Sequence, residues 1–312
     1  MPTTLTIGMA THNDFDGLYF SLQALRMYHS NVMDRVDLVV VDNDPTSRAG
    51  EQARGLFAHI NAGLTDGNRR LKQPRSARLV AAPEVVGTSA PRQRIFTEAT
   101  TDAVLVLDSH VLLWPGAIES LLDYYDQNPA TPDLLTGPLM YDNLGGCLTH
   151  FNDMWRDGMW GTWGADIRGR ETTSPPFEIG AQGLGLFSCR RAAWLGFNPA
   201  FREFGGEEWY IHTKYRQAGA RCLNLPALRW VHRFGDPPGG RKSPLSLRGK
   251  VRNYIIGHME LNLDMARLRT HFVDSTNEDD AEPVSRDQRM TPAEFDLLVC
   301  EATVLKSRGW QQ

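Results

Sequence analysis

The sequence predicts an α/β protein built on a mainly parallel sheet, and three observations carry that expectation. Short apolar runs of β type end in Thr or Asp at "LTIGMAT" (5–11), "VDLVVVD" (36–42) and "AVLVLD" (103–108). Segments of helical periodicity lie between such runs, so the order strand, helix, strand, strand, helix, strand is that of an α/β layer. With 312 residues the chain is long enough to bury a substantial core.

The first strand is followed by Phe15, Leu18, Leu22 and Leu25, whose spacing places them on one helix face, and Asn13 or Asp14 can cap that helix. The second strand leads into a polar stretch, then a third strand candidate at "ARLVAAP" (77–83), a helix around 91–100 and the strand "AVLVLD". Ligands of such sheets bind beyond the carboxyl ends of the strands, where Thr11, Asp42 and Asp108 stand. "LLWPGAIESLLDYYDQ" reads as a helix with Pro115 near its first turn, and "DLLTGPLMYD" as one more strand. Residues 145–183 show glycines, prolines and Trp155, Trp160 and Trp163 without helical periodicity. They read as a long irregular segment, either a lid or acceptor platform or a buried aromatic cluster; a lid would be mobile until donor binds.

"FEIGAQGLGLFSCRRAAWLGF" (177–197) reads as a strand entering a helix, and its glycines at 180, 183 and 185 do not match the G-x-G-x-x-G order of a dinucleotide fingerprint. Beyond it, Gly205 and Gly206 precede two acids, Glu207 and Glu208, that open a helix with Ile211, Tyr215 and Ala218 on its apolar face. "ALRWVHRFG" then reads as a strand ending in His232. The tail is expected to hold one helix through 247–268, an acidic break at 274–283, and a last helix announced by the capping box of Thr291 and Glu294 with Pro292 at the first position. We expect a catalytic domain at 1–240 and a C-terminal helical extension at 241–312.

Composition narrows the functional classes. The formal charge is -4 at pH 7, which argues against a nucleic-acid partner, although "RRLKQPRSAR" (69–78) and "RKSPLSLRGKVR" (241–252) are locally basic. Cys147, Cys189, Cys222 and Cys300 form no C-x-x-C or C-x-x-H pair, so neither a zinc knuckle nor a redox motif is indicated. No basic n-region with a long apolar run opens the sequence, and no uncharged run of membrane-spanning length follows, so a cytoplasmic protein without a membrane span is expected.

The chemistry concentrates in two blocks. Side chains alternate along an extended chain, so Asp108 and His110 point to one side and Ser109 to the other. A carboxylate oxygen and an imidazole nitrogen side by side suit a divalent first-row metal; a strand end facing water would look the same. In the second block, acids in the first turn favour the helix dipole whatever else they do. His232, taken alone, is better explained by a structural role than as a ligand.

Together these pieces resemble the GT-A glycosyltransferases, in particular the family 2 enzymes and the polypeptide N-acetylgalactosaminyltransferases. In the latter the metal motif is D-S-H, as at Asp108, Ser109 and His110; G-G-E matches Gly205, Gly206 and Glu207; and a later metal-binding His matches His232 in "WVHRFG". "GTSAPRQR" (87–94) is similar to the family 2 segment G-x-x-x-A-R-N-x-G, with Pro91 and Arg94 as departures. The resemblance covers about residues 3–236.

The resemblance implies a GT-A fold, a Rossmann-like nucleotide-diphospho-sugar transferase sheet with helices on both faces. It implies a UDP-sugar donor carrying a hexose or N-acetylhexosamine, and Mn2+ or Mg2+ held by Asp108, His110 and His232. Asp42 would accept the uracil N3 proton, Thr11 would bond the base or ribose, and Arg92 or Arg94 would meet the diphosphate. Glu208 would be the base of an inverting transfer, with Glu207 beside it as a partner for a sugar or acceptor hydroxyl; D-S-H and "VHRF" pull instead toward the retaining polypeptide transferases. The acceptor stays open among protein, glycan, lipid and modified nucleobase. A metal-dependent hydrolase or phosphoesterase using the same Asp and His ligands is the alternative, and a silent sugar-nucleotide-binding module is another.

Overall fold

A computed structural model describes residues 1–64, 71–141, 143–234, 246–274 and 284–311. The first half of the chain alternates as expected: β1 (Leu5–Thr11), α1 (Phe15–Tyr28), β2 (Val36–Asp42), α2 (Arg48–Leu64), β3 (Ser76–Ala81), α3 (Ser89–Glu98) and β4 (Ala103–Asp108). Helix α2 is an addition to the sequence expectation. Its polar surface reads as a loop, yet Ala53, Leu56, Phe57 and Ile60 form a buried stripe at helical spacing. Asp14, not Asn13, caps α1 by accepting from the Gly17 amide at 3.1 Å.

The chain continues through β5 (Val111–Leu113), α4 (Ala117–Gln127), β6 (Leu134–Thr136), β7 (Leu139–Met140), β8 (Cys147–Leu148), β9 (His150–Arg156), β10 (Met159–Gly164), β11 (Phe177–Glu178) and β12 (Leu186–Arg190). After α5 (Glu207–Gln217), β13 (Cys222–Asn224) and β14 (Trp230–His232) come α6 (Leu247–Glu260), α7 (Ala266–Arg269) and α8 (Pro292–Ser307). Among the described residues the main sheet has eight strands in the order β3-β2-β1-β4-β12-β6-β13-β11. Strands β1 to β4 are mutually parallel, and β12 runs antiparallel against β4. Strand β2 is buried along its whole length, as a parallel strand covered on both faces must be. Leu105 and Leu107 face one apolar core, while Val104 and Val106 face the other.

Several elements depart from the sequence expectation. "DLLTGPLMYD" is split at Gly137-Pro138: β6 joins the main sheet and β7 a second sheet, since proline cannot donate to a ladder. Residues 177–197 hold two strands and a 3-10 turn, Arg191–Ala193, where a helix was expected. The 145–183 stretch is not irregular, because β9 and β10 form an antiparallel hairpin. Its Trp155 and Trp160 are 2% and 8% exposed, so they are core rather than an open platform. The 247–268 helix ends at Glu260, Asn262 takes a positive φ of 53°, and a four-residue helix follows that runs into a π-helical turn at Thr270–Asp274. The acidic break lies outside the described residues except for Asp274. The last helix is capped as expected, with both halves of the Thr291 and Glu294 box made.

Two consequences position the site. Register pairs Thr11 with Asp42 and Ala10 with Asp108, so all three strand ends share one sheet edge. The second sheet, β5-β14-β7-β8, pairs His232 with Val111, which brings β14 beside the turn that carries His110. The C-terminal helices share the larger core: Val251, Tyr254, Phe272, Phe295 and Leu298 belong to the cluster that holds Ile95 and Phe187.

Candidate active site

Asp108 closes β4, and the turn of Ser109 and His110 leads into β5. The antiparallel partner β14 ends in His232, and one ligand atom from each of Asp108, His110 and His232 falls within 4.8 Å of the others. His110 Nε2 lies 3.2 Å from His232 Nε2, and His232 Nε2 lies 3.5 Å from the Asp108 carboxylate. The buried Nδ1 of His232 has no hydrogen-bond partner among the described residues. Two imidazole nitrogens facing each other beside a carboxylate is the donor set a divalent cation takes, so the residues fit the metal that the sequence implied. Ser109, between the two ligands in that turn, is buried.

Arg92, from α3, is buried and reaches across the cluster. Its guanidinium lies 2.9 Å from Asp108 Oδ1 and 3.4 Å from Glu207 Oε1. Burial opposes ionisation of Asp108, but Arg92 and then His232 outweigh it and hold the carboxyl well below its usual range. Arg92 therefore braces two acids of the site. Arg94 is not brought here: it points away and pairs with Glu98 at 2.9 Å.

The paired glycines explain how α5 begins inside the site. Gly205 and Gly206 take φ of 105° and 88°, a left-handed backbone that side chains rarely adopt. The tight entry turns Glu207 inward, where it is fully buried. Its Oε2 accepts from the Gly205 amide at 2.8 Å, and its Oε1 accepts from the Thr88 hydroxyl as well as from Arg92. Glu207 is thus engaged with protein donors on both oxygens. Glu208 is only half-buried. Burial, and after it the neighbouring Glu207 charge, raises its pKa well above the usual carboxylate range, with Asp108 adding to the effect.

At the nucleotide end, Asp42 is 2% exposed, and its Oδ1 accepts from the Asp44 amide at 3.0 Å. Its Oδ2 is buried with no partner among the described residues, and burial raises its pKa. The Thr11 hydroxyl donates to the Asp14 carbonyl at 3.4 Å. Asp14 is the residue that sequence reasoning treated only as a cap. Its Oδ2 lies 2.9 Å from His110 Nδ1 and 2.6 Å from an Arg233 nitrogen. Burial works against its ionisation, and the His110 and Arg233 hydrogen bonds overcome this, bringing its pKa down to about 2. Nothing in sequence spacing joins positions 14 and 110; the only visible sign was an acid at the end of the first strand-to-helix turn.

The model of glycosyl transferase family 2 matches residues 6–170, more than half of the chain. No curated protein matches the chain by sequence. Among solved structures, that of GalNAc-T7 with UDP, GalNAc and Mn2+ superposes with a TM-score of 0.59 at 15% identity, covering 83% of this chain. The chain spans 50% of the length of that protein. S. aureus TarS 1–349 in complex with UDP-GlcNAc superposes at 0.52 with 12% identity, covering 85% of this chain and 69% of that one. TarS 1–349 without that ligand gives 0.50 at 13% identity, over 85% and 68% of the two chains. These similarities establish a GT-A fold.

Proposed function

Because the chain belongs to glycosyl transferase family 2 and is therefore a glycosyltransferase, we propose that it moves a hexose or N-acetylhexosamine from a UDP-sugar to an acceptor hydroxyl, with inversion, and that Asp108, His110 and His232 hold Mn2+ or Mg2+. The observation that carries this is the convergence of the three ligand atoms within 4.8 Å from two sheets. The bound UDP and UDP-GlcNAc of the similar structures support the donor class, and the Mn2+ of one supports the ion. A divalent cation here supplies Lewis-acid neutralisation of the charge that builds on a departing diphosphate.

The chain's own residues do the rest. Asp42 offers an unpaired buried carboxylate oxygen to the N3 proton of uracil, and Thr11 stands at the adjacent strand end. Arg92 keeps Asp108 ionised and fixes its Oδ1, which leaves Oδ2 toward the imidazoles. Glu208 takes the acceptor proton: its raised pKa suits a group that must receive a proton in the reaction and give it up afterward. Residues 1–240 act as the catalytic domain, with 241–312 as a helical extension packed on it. No helix among the described residues is long and apolar enough to cross a membrane. The four cysteines are free thiols, which supports a cytoplasmic setting.

Release of UDP from UDP-GlcNAc, UDP-GalNAc and UDP-glucose, measured with Mn2+ and after chelation by EDTA over a panel of acceptors, tests this reading. Acceptor-dependent, metal-dependent UDP release supports it. Turnover indifferent to EDTA removes the metal site, and phosphate-ester cleavage without sugar transfer selects the hydrolase. Proton NMR of fresh product tests the stereochemistry; retention of the donor's anomeric configuration removes Glu208 as base.

A further inference from the structure

We propose that Asp14 is a positioning residue for the metal site, one that fixes the tautomer of His110 and joins the two histidine-bearing segments; this rests on the metal assignment above. Asp14 sits at the first turn of α1, remote in sequence from both histidines. Its Oδ2 is 2.9 Å from His110 Nδ1 and 2.6 Å from Arg233, the residue directly after His232. Paired with a guanidinium, the carboxylate can only accept, so Nδ1 of His110 is the protonated nitrogen. Nε2 is then left with its lone pair, and this is the atom 3.2 Å from His232 Nε2. A metal-binding imidazole whose other nitrogen donates to a carboxylate is held in orientation and made more basic.

Two further contacts show that the arrangement is built in. The Arg233 amide donates to the His110 carbonyl at 3.3 Å, so the two histidine segments are tied through main chain as well as through Asp14. Gly17 makes room for the contact: a Cβ there would stand 2.6 Å from Asp14 Oδ2 and 2.9 Å from His110 Cβ. The first turn of α1 can approach His110 this closely only without a side chain at that position.

The capping role and the positioning role can be separated by substitution. Asp14→Ser keeps a good helix cap but is too short to reach His110; Asp14→Asn has a single acceptor oxygen, which can serve His110 only with its amide group turned toward Gly17. Mn2+ binding to the full chain with UDP present, counted by the EPR signal of free Mn2+, is expected to weaken about 10- to 100-fold in Asp14→Ser. Asp14→Asn, which can still accept from His110 but lacks the charge that pairs with Arg233, should recover part of that loss. Gly17→Ala, whose added Cβ would press on Asp14 Oδ2 and on His110 Cβ, should weaken binding in the same sense. Nitrogen-15 NMR of the metal-free protein should show His110 protonated at Nδ1 in the parent and no longer held so in Asp14→Ser, with unchanged helical circular dichroism. Mn2+ affinity in Asp14→Ser within about twofold of the parent, or an unaltered His110 tautomer, overturns the role of Asp14 and leaves the metal site standing. A parent protein that binds no Mn2+ overturns the metal site and the role of Asp14 together.

Discussion

Replacing Arg92 by Met should destabilise the protein severely, because it strands two acids. The Arg92 side chain is 8% exposed, Glu207 0% and Asp108 25%, so the three charges are mostly removed from water. At separations of 2.9 and 3.4 Å, each contact supplies roughly 5 kcal/mol at an effective dielectric of about 20. Desolvation of the three groups offsets most of that gain in the intact site. Methionine removes the attraction and leaves the acids desolvated, so the expected loss is about 3–5 kcal/mol. An unfolding entropy of about 2.1 cal/mol/K per residue converts this to a fall in Tm of roughly 5–8 °C for a chain of 312 residues.

Differential scanning calorimetry reads the shift, and a cycle with Glu207→Gln identifies its origin. Coupling of about 0.5–3 kcal/mol is expected, the double variant losing less than the sum of the singles. The pH dependence has a definite sign. The folded Asp108 carboxyl lies below its ordinary value, so its contribution to stability is complete above the unfolded pKa of about 3.9 and is lost as pH falls through the lower folded value. The gap between parent and Arg92→Met should narrow as pH falls, first because the stranded acids of the variant, raised by desolvation, take up protons, and then, below about 4, because the parent loses the Asp108 contribution. A Tm fall under about 2 °C, with additive singles, refutes the bracing role of Arg92.

Three other outcomes are expected. Asp108→Ala and His232→Ala should each abolish Mn2+-dependent UDP release while circular dichroism stays native; full activity with Mn2+ still required would remove that residue from the site. Asp42→Ala should weaken UDP binding by about 10- to 100-fold, the value of a hydrogen bond to a charged acceptor, and equal affinity by calorimetry would displace the nucleotide pocket. For Glu208, whose pKa is raised, the base form gains as pH rises, so kcat/KM should climb with pH along a limb above the usual carboxylate value of about 4.3. Glu208→Gln should lose that limb and most of the rate; an unchanged profile assigns the proton transfer elsewhere.

The sequence by itself determined the strand ends and the local motifs. Apolar runs closing in Thr11, Asp42 and Asp108 are legible because a strand buried on both faces admits almost no polar residue until it ends. The Thr291 box, the Gly205-Gly206 turn and the pairing of Asp108 with His110 are equally local, each set within a few residues. Helix α2 and the Trp155 hairpin were not legible, since their apolar faces are covered by distant elements: Trp155 packs on Tyr254 and His271, about a hundred residues away. Only the tertiary structure decided that Arg92 braces Asp108 while Arg94 turns to Glu98, because the two sit two residues apart on a helix and so face different sides. It alone joined Asp14, His110 and Arg233: pairing of β14 with β5, and the packing of α1 against β5, bring together charges whose separation along the chain leaves no trace in any local pattern.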